Sequence, residues 1–384
     1  RRLFCPDAGL YAGLILASSL LYALIGHINT LYMGLTLFMG LGLAGFLLAQ
    51  RDGATAKENR FWMHMAWAAM ALALLSKGLI GIALPGAVLV LYTLIERDFA
   101  LWKRLHIGTG LLVFLLVAAP WFIAVSLANP EFPHFFFIHE HFNRFLTKVH
   151  GRYQSWWYFI PILAAGVVPW IVTLVQALIG AWRIEDPRQV FRPRRFLLIW
   201  VALIYVFFSV SSSKLPTYIL PIFPALALLM AERLGRLSAS AFSWQVLPIL
   251  ALAAVAIGLA PAVEILASEE VPVALYRSYV PWLVAAAAML FAGSAISWYH
   301  CRRDKLKPAV IALAASGLIC AQLALMGHDS LSPASSAYHL AEKIKPYLKP
   351  GVPFFSVGSY EQTLPFYIKR TVTVVAYQDE LEFG

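Results

Sequence analysis

The sequence predicts an all-α polytopic membrane protein of about eleven transmembrane helices that closes in a small α/β domain. Three observations predict it. Hydrophobic residues make up 60% of the 384-residue chain and charged residues only 13%, whereas soluble domains carry roughly 25% charged residues. The apolar residues fall into runs of roughly 17–25, the length that crosses a bilayer as a helix. From about Ser330 those runs stop and a strand, helix, strand pattern takes over.

Taken in order, the candidate spans cover about 8–26, 31–49, 61–76, 78–95, 107–127, 158–181, 196–212, 215–231, 245–266, 281–299 and 308–327. Many carry proline, among them Pro85, Pro120, Pro161, Pro169, Pro221, Pro224 and Pro248. In a bundle the neighbouring helices satisfy the backbone groups that a proline frees, so kinks are tolerated. Lysine and arginine set the orientation. With Arg1 and Arg2 inside, the inward segments up to residue 328 hold nineteen basic residues and the outward segments six. That bias alternates through all eleven spans. The net charge of +10 is therefore an orientation signal in short loops and not the footprint of a nucleic-acid partner.

This orientation places the 129–157 loop and the C-terminal segment outside. In a Gram-negative cell that is the periplasm, with the chain a multi-pass protein of the bacterial inner membrane. Residues 1–328 form the transmembrane domain. Residues 329–384 form the small periplasmic domain, with helices expected at 335–347 and 359–368 and strands at 353–357 and 371–377. A strand, helix, strand order suits a parallel crossover. No small-residue cleavage site follows Arg1-Arg2. The abrupt start, and the stop at Gly384 inside an unfinished domain, are expected of a fragment at both ends. Cys5, Cys301 and Cys320 lie far apart in sequence, so neither a disulfide framework nor a metal site is expected of them.

The 129–157 loop draws attention because it holds four of the ten histidines, with Arg144, Lys148, Arg152 and many aromatics. Such a segment suits a membrane–water interface. One reading is a headgroup contact; the other is a connector without chemistry. Three basic residues fall at outward ends of spans: Lys77 in Ser-Lys-Gly, Lys214 after a serine-rich turn, and Arg144 in the loop. Together they suit a phosphate, lysine as a point charge and arginine as a fork. The alternative for each lysine is snorkelling or turn solvation. His139, Glu140 and His141 stand two apart, which points to different helix faces and argues against zinc. Glu140 is the one outward acid before the C-terminal domain that sits among other polar groups of interest. No glycine-rich phosphate loop or Ser–His–Asp set appears, and no cofactor is expected.

Several separated motifs carry a resemblance. They are Phe-Phe-Ile-His-Glu-His-Phe-Asn-Arg-Phe (136–145), His-Gly-Arg (150–152), Trp-Trp-Tyr-Phe-Ile-Pro-Ile-Leu (156–163) and Val-Pro-Trp (168–170). To these add Leu-Ser-Lys-Gly-Leu-Ile-Gly (75–81), Ser-Lys-Leu-Pro-Thr-Tyr-Ile-Leu-Pro (213–221), Leu-Pro-Phe-Tyr-Ile-Lys-Arg (364–370) and Asp379-Glu380-Leu381. Nearly end to end, the chain resembles the bacterial aminoarabinose transferases (ArnT-like), grouped with the dolichyl-phosphate-mannose protein mannosyltransferases in the GT-C class.

The resemblance implies an inner-membrane glycosyltransferase without a cofactor. Such enzymes move a sugar, aminoarabinose- or mannose-like, from a polyprenyl-phosphate donor to lipid A, another glycan or a protein. It implies about thirteen spans, two of them preceding this chain, and a main catalytic carboxylate in a first periplasmic loop that this chain lacks. It implies that Lys77 and Arg144 bind the lipid phosphate, with His139 near it. It also implies an aspartate near the site where this chain has Tyr32, and tyrosine supplies no negative charge at neutral pH. Two other classes stay open: a lipid-linked sugar flippase, and a catalytically silent binder of the carrier lipid. The nearly charge-free mid-depth of the spans and the lack of an internal repeat count against the flippase.

Overall fold

The computed structural model describes residues 3–136, 154–183, 190–211, 213–269 and 271–377. Every predicted span meets helix. Seven helices among the described residues are long and apolar enough to cross a membrane, from Leu31–Gln50 and Ile107–Ala128 through to Val273–Arg302 and Leu306–Ser335. Two helix pairs pass the same test together but are sharply bent, Ala8–Ser18 with Leu20–Gly26 at 67° and Phe159–Gly166 with Ile171–Trp182 at 113°. Ile80–Glu96 is apolar but shorter. Ala56–Lys77 is a 22-residue helix whose first turns carry Lys57, Glu58 and Arg60.

The chain divides into two compact units. One comprises Arg1–Ala251 with Leu290–Ala321, and the other Leu252–Met289 with Gln322–Gly384. In the first unit, Leu31–Gln50 and Ala56–Lys77 form an antiparallel pair joined by a tight turn. Thr55 caps the second helix: its hydroxyl accepts from the Glu58 N–H at 3.2 Å while its own N–H donates to the Glu58 carboxylate at 3.1 Å. Such a reciprocal cap typically contributes about 1 kcal/mol. Small residues let the two helices touch. A Cβ on Gly45 would lie 3.0 Å from the Trp62 carbonyl oxygen, one on Gly42 3.5 Å from that of Ala66, and one on Gly34 3.5 Å from the Ser76 hydroxyl. The contacts run in one antiparallel register, which continues to Tyr32 beside Lys77.

The two bent pairs cross at their breaks. A broken helix leaves backbone groups without partners, which is costly in lipid. Here each break supplies the other. The Leu20 N–H donates to the Val168 carbonyl at 3.1 Å, and the Trp170 indole N–H donates to the Ser18 hydroxyl at 2.9 Å. Gly166 makes room, since a Cβ there would lie 2.6 Å from the Leu21 Cβ.

At the turn end of the Leu31–Gln50 pair the charges gather. Glu96 accepts from Arg192 at 2.9 Å and from Arg195 at 2.7 Å, and Glu232 pairs with Arg194 at 3.0 Å and with Arg236. Asp52 accepts the N–H groups of Val190 and Phe191. The Glu96 and Glu232 side chains are largely buried, and pairing is what makes a buried charge tolerable.

In the second unit the C-terminal strands are β1 (Phe355–Val357) and β2 (Thr373–Val375). They pair in parallel, Phe355 opposite Thr373, as the strand, helix, strand order predicts. The crossover helix Leu364–Ile368 is shorter than expected because Pro365 fits its first turn and the preceding residues do not continue it. The helix expected at 335–347 is Tyr338–Ile344 followed by a 3₁₀ turn. Ala337, Ala341, Leu364 and Ile368 form the core of this domain.

Candidate active site

Lys77 ends its helix. The next residue, Gly78, takes φ 76° and ψ −159°, a region open essentially to glycine alone. Its N–H closes the helix on the Leu74 carbonyl at 2.7 Å. Lys77 is thereby fixed at the end of an apolar helix, and its side chain turns toward the neighbouring helix. Its ammonium nitrogen lies 3.6 Å from the centroid of the Tyr32 ring. That is well inside the roughly 6 Å reach of a cation–π contact. Tyr32 in turn meets Tyr218 at 5.5 Å between centroids, and Tyr218 meets Phe208 at 5.0 Å.

Tyr218 lies in the 3₁₀ segment Pro216–Ile222, four residues after Lys214, which sits on the turn between that segment and Pro193–Val210. Lys214 is buried, 4% exposed. Its ammonium donates to the Gln154 carbonyl at 2.8 Å and to the Ser211 carbonyl at 2.5 Å. Burial pushes its pKa below the usual lysine value. Two of its three N–H groups thus hold the end of the 129–157 loop against the serine turn, and one is left for another acceptor.

The start of that loop is fixed as well. Phe132 packs on Trp121, Phe122 and Phe136, with centroids 5.3–6.3 Å apart. Phe122 also packs on the cluster of Ala71, Leu74 and Ala118, one turn from Lys77. The far stem of the loop presents Trp156 and Trp157 exposed, as an interfacial segment does. His139, Glu140 and Arg144 lie outside the described residues, as does the rest of 137–153.

The structure therefore brings Tyr32 against Lys77 and Tyr218 against Tyr32, with Lys214 four residues before Tyr218 in the chain. Sequence reasoning did not single out Tyr218, although it stands in the Lys-Leu-Pro-Thr-Tyr run. Its four-residue spacing from Lys214 across a proline turn was the available signal. The role of Lys214 in holding Gln154 had no sequence signal.

A cavity of about 680 Å³ lies at the opposite, turn end of the same helix pair, lined by Arg51, Asp52, Asn59, Arg104 and Val190 among others. Its Arg51 is already bound to Glu58 at 2.6 Å, and Asp52 adds negative charge. The arrangement at the Lys77 end suits a lipid phosphate better: a cation at the tip of an apolar helix, aromatic surfaces beside it, and a loop anchored at both ends.

Known proteins sort with this geometry. The model of the dolichyl-phosphate-mannose-protein mannosyltransferase family matches residues 3–136. That of the aminoarabinose transferase C-terminal domain matches 340–384. An undecaprenyl phosphate-α-4-amino-4-deoxy-L-arabinose arabinosyl transferase of Proteus mirabilis is 34% identical over 244 residues, 61% of this chain and 42% of that protein. One from Erwinia tasmaniensis is 30% identical over 328 residues, 82% of this chain and 58% of its own length. The chain thus spans about half the length of the curated relatives it matches. The crystal structure of ArnT from Cupriavidus metallidurans bound to undecaprenyl phosphate superposes with a TM-score of 0.91 at 39% identity. It covers 98% of this chain and 68% of that one. The apo form of the same protein matches with a TM-score of 0.91 over the whole chain. At that identity and coverage the likeness extends from fold to family, and the chain belongs to the ArnT-like GT-C glycosyltransferases.

Proposed function

We propose that this chain carries the donor-lipid site of a membrane glycosyltransferase that moves a sugar, aminoarabinose- or mannose-like, from a polyprenyl-phosphate donor. The acceptor is lipid A, another glycan or a protein hydroxyl, on the periplasmic face of the inner membrane. The observation that carries this reading is the superposition, over 98% of the chain, on ArnT bound to undecaprenyl phosphate. The basic-residue asymmetry of the loops supports the sidedness.

In the proposed reaction the acceptor hydroxyl attacks the anomeric carbon. The new C–O bond forms as the bond to the phosphate oxygen breaks, the electron pair leaves with polyprenyl phosphate, and the anomeric centre inverts. A carboxylate takes the hydroxyl proton. Glu140 is the candidate base in this chain, Tyr32 standing where the resemblance implies an aspartate. Lys77 and Arg144 offset the charge that grows on the departing phosphate, with His139 beside them. Lys214 holds the loop that carries these residues and keeps one N–H toward the phosphate. The scheme calls for no metal or cofactor.

Membranes expressing the full-length protein, given a polyprenyl-phosphate donor with a radiolabelled sugar, test this. Label should pass to an acceptor, and Lys77→Ala and Arg144→Ala should each lower transfer by a factor on the order of a hundred at normal expression. Donor binding without transfer in the parent protein would favour the silent binder. Transfer that survives both substitutions would remove the phosphate assignment.

A further inference from the structure

We infer that the cavity at the turn end of the Leu31–Gln50 and Ala56–Lys77 pair binds the headgroup of a zwitterionic phospholipid, its phosphate held by Arg104 and Arg51 and its ammonium by Asp52. The inference is independent of the proposed donor-lipid site, which lies at the other end of the same pair. The observation that carries it is one cavity of about 680 Å³ lined by both signs of charge, Arg51, Arg104 and Asp52. Its size falls within the roughly 300–1,000 Å³ of small-ligand sites.

These charges are not paired with one another. Arg104 is exposed. Its guanidinium makes one long contact, to the Ala49 carbonyl at 3.4 Å, and no ion pair among the described residues. Arg51 meets Glu58 through one nitrogen, Nη2, at 2.6 Å, and a guanidinium has further N–H groups to give. Asp52 is exposed as well. It accepts the Val190 N–H at 3.0 Å and the Phe191 N–H at 3.3 Å, one on each oxygen. Among the described residues no cation pairs with it, and a carboxylate has about four acceptor sites in all.

The charge pattern selects the ligand. A lone anion would meet the arginines but also the Asp52 charge. A lone amine would meet Asp52 but also both arginines. A headgroup that joins a phosphate to an ammonium satisfies both, the phosphate on the guanidinium fork and the ammonium on the carboxylate.

The level of the cavity selects a lipid over a soluble zwitterion. It lies where the apolar helix Leu31–Gln50 ends and Ala56–Lys77 begins. Arg104 closes the 3₁₀ segment Phe99–Arg104, on which Phe99 and Trp102 are exposed. Exposed aromatic rings beside basic side chains mark the headgroup level of a bilayer. The basic-residue asymmetry puts this end at the inward leaflet.

The delipidated full-length protein in detergent, titrated with short-chain phosphatidylethanolamine, phosphatidylglycerol or phosphatidylcholine and read as the first lipid adduct by native mass spectrometry, tests this. Phosphatidylethanolamine should bind on the order of tenfold tighter than phosphatidylglycerol, which lacks the ammonium. Phosphatidylcholine, whose methylated ammonium has no N–H to donate, should fall between them. In Asp52→Asn the preference for phosphatidylethanolamine over phosphatidylglycerol should disappear. In Arg104→Gln both lipids should weaken on the order of tenfold. Equal affinity of the parent protein for the two lipids would overturn the inference, whether or not the variants fold. A preference unchanged in both variants would overturn it too, by placing the lipid elsewhere. Soluble phosphoethanolamine binding as tightly as the lipid would overturn the assignment to a lipid headgroup.

Discussion

His106 ties three helices together through one ring nitrogen. It caps Ile107–Ala128 and donates from Nε2 to the Asn59 side-chain oxygen at 2.9 Å. The Asn59 amide donates in turn to the Ala49 carbonyl at 3.0 Å. Burial holds the His106 pKa below the usual imidazole value, and nearby His64 and Arg60 push it the same way. On acidification the unfolded chain therefore takes up this proton first. The His106 contribution to stability is complete above about pH 6.5 and is lost as pH falls below that value, until the folded imidazole also protonates. Thermal melts of the purified protein between about pH 7.5 and 5 should show this decline. In His106→Gln, which keeps a donor toward Asn59, the decline should be shallower. Equal slopes in the two proteins would contradict the assignment.

The crossing of the two broken helices is the element on which the bundle's interior depends most visibly. Trp170 is fully buried, and its indole N–H is satisfied by Ser18 across the break at 2.9 Å. Replacing Trp170 with Phe removes the donor, opens space, and leaves the Ser18 oxygen with one contact fewer. The expected cost is about 1–3 kcal/mol from the lost hydrogen bond and packing, measured as a lowered melting temperature. Trp170→Phe melting like the parent would show that the breaks do not support each other. The spans themselves were legible in the sequence, because length and apolarity are local properties. Pro169 marked a kink in the 158–181 run. The break at Ser19 was not legible, because residues 8–26 read as one continuous apolar run. What stabilises that break is the Val168 carbonyl, a partner about 150 residues away that no local pattern reveals. The same holds at the site. Lys77 stands out in sequence as a charge at the end of an apolar run. Its contact with Tyr32 depends on the register of two helices, and the contact of Tyr218 with Tyr32 depends on a third segment.

At the scale of the whole molecule, the antiparallel Leu31–Gln50 and Ala56–Lys77 pair presents two basic ends. One is the turn end, where Arg51, Arg104 and Asp52 line the cavity of about 680 Å³ beside the Glu96 and Glu232 ion pairs. There most cations already have carboxylate partners, and the excess of basic residues serves orientation. The other is the Lys77 end, where a lysine over an aromatic ring adjoins the anchored stems of the 129–157 loop. The apolar helices, the parallel β1–β2 crossover and the likeness to ArnT agree on the architecture, and the proposed phosphate site lies at the Lys77 end. The measurement that tests this most directly is photo-crosslinking with an undecaprenyl phosphate analogue carrying a photoreactive group next to the phosphate, followed by peptide mapping. The account predicts labels at residues around Tyr32, Lys77 and Tyr218, competed by unmodified undecaprenyl phosphate. Competable labels confined to the turn end, around Arg51 and Arg104, would contradict it.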